Sequence, residues 1–182
     1  MSANPQIPRP VVHALSEECA DIGPNFSAAA KRLLEDQARL VRFFRQNLPA
    51  MEGQSGEVSM YLLAVIMRIF DRCGGKMGRI STSEIEAATK RILGEGKRIL
   101  PFDEGFPARV REIEWRAQPH ILDEALNALF EREERKSNEI AVDHNQAGRI
   151  FLMLWAATEA LETGWRSPAT PLWATEGADG AA

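Results

Sequence analysis

Leu62-Leu-Ala-Val-Ile-Met-Arg-Ile-Phe-Asp-Arg-Cys-Gly-Gly-Lys-Met-Gly-Arg-Ile-Ser-Thr-Ser-Glu84 reads as an apolar helix, a glycine-rich loop and the restart of a second helix. The first helix, from about Glu57 to Cys73, is apolar nearly all round over two turns, which marks a helix inside a core rather than on a surface. Gly74 and Gly75 supply the left-handed conformation that ends helices. Ser81 or Ser83 can then cap the next helix, with Glu84 and Glu86 in its first turn against the positive end of the helix dipole. Gly94 and Gly96 stop it.

Working outward, the same helical spacing recurs. Phe26, Ala30, Leu33, Leu34, Leu40, Val41, Phe44 and Leu48 fall at three- and four-residue steps, which predicts a helix ended by Pro49. Residues 97–107 read as a linker, and a helix follows to about Ala117. Pro119 opens the next helix, with Ile121, Leu122, Ala125, Leu126, Leu129 and Phe130 on one face. Its charged end carries an i,i+4 pair, Glu131 with Arg135. The last helix runs from about Asp143 to Thr163 and is apolar nearly all round from Ile150 to Ala157. No alternating β pattern of useful length, repeat or sustained heptad occurs.

The expected architecture is all-α, a single-domain bundle of about six helices over residues 25–164, centred on the Glu57–Cys73 and Asp143–Thr163 helices. Pro5, Pro8, Pro10 and Pro24 make residues 1–24 an extended N-terminal arm in this reading, with a short helix near Val11–Cys19 at most. Residues 165–182 read as a flexible tail.

Composition narrows the function classes. The chain has 182 residues, 45% hydrophobic and 26% charged, enough to bury a core without staples. A net charge of −4 gives nucleic acid no global attraction. Cys19 and Cys73 stand far apart in no ligand pattern, as free thiols of a reducing cytoplasm do. The first ten residues hold no apolar run of the kind export requires, and the longest apolar runs are eight residues where a membrane span needs about 20. A cytoplasmic protein with no membrane contact is expected.

The glycine-rich loop resembles an EF-hand in its second half, through Gly78, Ile80, Ser81, Glu84 and Ile85. Aligned on Ile80 and Glu84, however, the positions that need oxygen ligands hold Cys73, Gly75 and Met77. A longer loop from Asp71 is similar to the variant EF-hands that bind calcium through backbone carbonyls. The same pattern suits a purely structural helix restart, and no metal or cofactor is expected. His13, His120 and His144 come from separate segments. His120 has Glu112, Glu114, Asp123 and Glu124 nearby in sequence, but no di-iron or zinc helix motif includes it. Nucleophile elbows and Walker or dinucleotide loops are absent, and Gly74-Gly75-Lys76 alone is weak evidence for phosphate.

Two features remain. The segment from Arg68 to Arg98 holds eight basic residues (Arg68, Arg72, Lys76, Arg79, Lys90, Arg91, Lys97, Arg98) against four acidic ones, so it carries +4 and the rest of the chain −8. That patch suits an acidic protein better than nucleic acid, because no aromatic residue interleaves it after Phe70. Trp165, Leu172 and Trp173 sit among prolines in the tail, where such residues commonly anchor interfaces. The function expected is non-catalytic binding of a protein partner or a second copy, through Trp165, Leu172, Trp173, Arg72, Lys76 and Arg79. The alternatives are a small helical enzyme or ligand-binding bundle using acidic residues near His120, and nucleic-acid contact through residues 68–98.

Overall fold

A computed structural model describes residues 4–48, 54–114, 116–132 and 142–175. The chain is predominantly helical. In order, the described elements are α1 (Arg9–Ile22), α2 (Phe26–Asp36), α3 (Ala38–Asn47), α4 (Ser55–Arg72), β1 (Lys76–Met77), α5 (Thr82–Gly94), α6 (Gly96–Ile99), α7 (Phe106–Arg111), α8 (Pro119–Leu126), α9 (His144–Gly164), β2 (Trp165–Arg166) and α10 (Leu172–Thr175). A π-helical turn, Asn127–Glu131, extends α8.

α9 is the axis. Asp143 caps it by accepting from the Gln146 N–H, and every residue from Met153 to Leu161 is buried. α4 and α5 pack against it, as does α8. The faces they cover include Leu63, Ile66, Ile69 and Phe70 of α4 and Ile85, Ala88 and Ile92 of α5. Gly148 in α9 lets the Phe102 ring lie against the backbone, where a Cβ would collide with it. Phe102, Phe106, Phe130, Phe151 and Trp155 then run as a chain of edge-on and tilted ring contacts through the core.

The glycine-rich stretch folds as a helix, turn and helix. Gly74 and Gly75 have φ of 79° and 83°, and a two-residue strand follows them. Ser81 and Glu84 make a capping box at the start of α5. β1 pairs antiparallel with β2, Lys76 opposite Arg166 and Met77 opposite Trp165. The loop is thus tied to the end of α9, and the Gly78 N–H donates to the Gly164 carbonyl.

Three expectations are corrected. The described part of residues 1–24 is not an extended arm: Arg9–Ile22 is a helix with Val12 and Cys19 in the core, packed on α4 and α8. Its prolines occupy the cap and first turn, where the missing N–H costs nothing. The helix expected from Phe26 to Leu48 breaks at Gln37, whose buried amide donates to the Gly78 carbonyl at 2.8 Å and accepts from the Ile80 N–H at 3.0 Å. The tail, as far as described, is ordered against the body: Trp165 is buried, Pro168 lies against Gly75 and Leu172 against Gly74. Trp115 and Arg135 lie outside the described residues. Glu131 pairs instead with Arg111, at 2.7 and 2.8 Å.

Candidate functional site

The acidic residues around His120 do not converge on it. Asp123 pairs with Arg116 at 2.7 Å and Arg111 at 3.5 Å, and Glu124 meets His13 at 3.2 Å. Glu112 and Glu114 are exposed, and the buried Nδ1 of His120 makes no hydrogen bond. Among the described residues no group of three or more His, Cys, Asp or Glu side chains could hold a metal ion. Both thiols are buried. Desolvation raises Cys19 to about 11 and Cys73 to about 12, so neither is a ready nucleophile.

The loop that resembles an EF-hand spends its backbone carbonyls internally. The Trp165 indole donates to the Gly74 carbonyl at 2.9 Å, and Gln37 occupies that of Gly78. Asp71, the acidic residue at its head, is paired with Arg68 at 3.0 Å and Arg32 at 3.4 Å. Beside this loop lies a cleft of about 390 Å³ between α2, α4 and the β-ladder. Phe70, Met67, Leu161 and Trp165 form its floor, and Arg32, Asp36, Asp71, Lys76 and Arg79 its mouth.

The six residues singled out in the sequence divide in the structure. Trp165 is core: it is 3% exposed, stacks edge-on against Phe70 and donates its one N–H inward. Trp173 is half-buried against the core, whereas Leu172 is 53% exposed. Arg72 pairs with Glu18 across α1 at 3.6 Å. Lys76 and Arg79 are exposed at the cleft, and Lys76 faces Arg166 directly across the ladder, a like-charge pair that costs the fold a little.

Half of the basic residues in the segment are held in ion pairs. Arg68, Arg72, Arg91 and Arg98 each pair with a carboxylate, while Lys76, Arg79, Lys90 and Lys97 form no ion pair among the described residues. Those four do not share one face, since Lys76 and Arg79 line the cleft and Lys90 a different depression.

That second depression is a surface sequence reasoning missed. It is a groove of about 510 Å³ between α3 and α5, lined by Arg39, Arg42, Phe43, Ile85, Lys90 and Leu93 together with Gln46, Thr82, Glu86 and Thr89. Ile85 is buried at its base and Phe43 is half-buried, while Leu93 is 65% exposed. Arg39, Arg42 and Lys90 form no ion pair among the described residues, and Glu86 is the one carboxylate on the lining. The sequence carried a signal in Leu93, an apolar residue that continues the helical face of α5 to its end beside basic neighbours.

No protein-family model, characterised protein or solved structure matches the chain. Among the described residues no helix is long and apolar enough to cross a membrane.

Proposed function

We propose that this protein is non-catalytic and acts by binding an acidic partner protein, through the groove between α3 and α5. The observation that carries the reading is the exposed Leu93 beside three cations that have no ion-pair partner among the described residues. An exposed leucine next to a partly apolar trough is the arrangement that binding surfaces use, and cations on its rim select the partner by charge. The enzyme alternative asks for polar groups converging on a pocket, whereas Asp123 and Glu124 are committed to Arg111, Arg116 and His13, and Glu112 and Glu114 are exposed. The nucleic-acid alternative asks for cations gathered on one face, whereas four of those in residues 68–98 are held in ion pairs and Lys76, Arg79 and Lys90 are split between two depressions.

A second surface has its own support. Leu172 lies over Gly74 beside Lys76, Arg79 and Arg166, and the like-charged Lys76–Arg166 pair would gain from an acidic neighbour. It suits the same class of partner and would extend the contact.

A photo-crosslinking amino acid at position 93, introduced into the full chain in its native source, tests the reading. A discrete protein adduct from position 93, absent from the exposed position 100, is expected. Adducts with nucleic acid, or equal labelling from both positions, would contradict it.

A further inference from the structure

We propose that the α3–α5 groove receives an amphipathic helix whose apolar face meets Phe43, Ile85 and Leu93 and whose carboxylates face Arg39, Arg42 and Lys90. The inference rests on the reading of this groove as a protein-docking surface and names the occupant. Both walls are helices, so their backbone N–H and C=O groups are bonded within each helix and offer no edge to an added strand. An extended peptide would therefore gain no ladder here, and recognition must run through side chains. A helix presents apolar residues at i, i+3, i+4 and i+7 as one stripe, which suits a trough between two helices.

The sign of the charge comes from α3. This helix carries Arg39, Arg42 and Arg45 and no acidic residue. Its N-cap, Gln37, makes no capping hydrogen bond to the helix, and its first turn holds no carboxylate. Arg39 thus sits at the positive end of the helix dipole, where a cation destabilises the helix. Arg45 suits the last turn of α3, whereas Arg39 and Arg42 lie further toward its start, and none of the three has an ion-pair partner among the described residues. A carboxylate arriving in the groove would meet Arg39 and Arg42 near the positive end of the α3 dipole. Phosphate of nucleic acid would satisfy the cations but leave Leu93 and Phe43 uncovered.

The probe is a displayed library of helical peptides of about 15 residues, with a fixed apolar stripe and randomised flanks, selected on the full chain. The enriched peptides should carry Glu or Asp on the flanks. In fluorescence anisotropy their binding should weaken with salt and fall about 10-fold or more in Leu93→Glu and in Arg42→Glu. Leu100→Glu, at an exposed leucine outside the groove lining, should bind as the parent does. Peptides with Lys in place of the acidic flank should recover binding to Arg42→Glu, which keeps the test independent of any loss of fold in Leu93→Glu. Neutral or basic enriched flanks that still need Leu93 would overturn the acidic helix and leave groove docking standing. Enriched peptides indifferent to Leu93→Glu would sink both readings. A library with no enrichment overturns the helix proposal, and so does self-association by light scattering that Leu93→Glu abolishes, which would make the occupant a second copy.

Discussion

Glu159 is 5% exposed on α9, the most buried helix of the protein, and Arg91 of α5 reaches it with two hydrogen bonds. The Nε–Oε2 distance is 2.9 Å, and the guanidinium also lies 5.6 Å from the centre of the Trp155 ring. Taking one partner away leaves the other charge in a poorly solvated place. Arg91→Met should therefore cost about 3 kcal/mol in urea melts, whereas adding Glu159→Leu should restore most of the loss. A double variant as unstable as the single one would mean that packing, not charge, holds α5 to α9. Glu162, one residue short of a further turn along α9, is treated differently. It accepts from the Gln118 side chain at 2.9 Å, yet burial outweighs this and raises its carboxyl above the usual 4.5. A raised carboxyl pKa means that the native state holds the proton more tightly than the unfolded chain. This contribution is present at low pH and is lost as pH rises from about 4.5 through the folded value. Glu162→Gln removes that loss, so its stability relative to the parent should improve as pH climbs from 4 to 7; a constant difference would contradict the assignment. Gln118 shows what a sequence hides at this scale. It is buried with φ of 47°, accepting from the Ile7 N–H and donating to the Pro5 carbonyl. Nothing in Gln-Pro announces that a left-handed glutamine will bind residues more than a hundred positions away.

The elements that were legible are those whose apolar pattern is strong. α4, α5, α8 and α9 stand close to their expected spans because burial on one face, or all round, fixes a helix wherever the chain must pack. The misreadings have specific causes. Pro8 and Pro10 suggest an extended arm, but proline is equally at home in a first helical turn, and Val12 and Cys19 provide the buried face. The break at Gln37 has no local signal, since glutamine favours helices. Its hydrogen bonds to Gly78 and Ile80 are tertiary, and they outweigh propensity. Those bonds also bear on the loop. With the Gly74 and Gly78 carbonyls spent on Trp165 and Gln37, calcium at millimolar concentration should leave the melting temperature unchanged, and a shift reversed by chelator would contradict a structural turn. Gly75 holds the same turn against β2. Its φ is 83° and a Cβ would collide with the Arg166 carbonyl, so Gly75→Ala should cost about 2 kcal/mol or more by denaturant melts. A loss under about 0.5 kcal/mol, the level of an ordinary surface change, would mean that the ladder is dispensable.

At the scale of the molecule, the helical class and the packing of α4 on α9 were readable, and the proposed docking groove was not. Of the residues singled out in the sequence, Leu172, Lys76 and Arg79 are exposed, but Trp165 belongs to the core, where the ladder with β1 turns it inward against Phe70. The α3–α5 groove depends on two helices separated by more than thirty residues, and only their packing creates it. The segment after Ser167 adds Pro168 and Leu172 against the glycine turn and a half-buried Trp173. A chain ending at Ser167 should fold with α9 intact and lose about 1–2 kcal/mol, a drop of about 2–8 °C in melting temperature. Outright unfolding would make that segment a strap on which the core depends.

Hydrogen exchange of the full chain, alone and with its captured partner, most directly separates the groove from every other surface. Slower exchange in α3 and α5, residues 38–47 and 82–94, is the expected result, with the α8 region and α1 unchanged. Protection confined to residues 68–79 and 165–175, or no protection in either region, would contradict docking between α3 and α5.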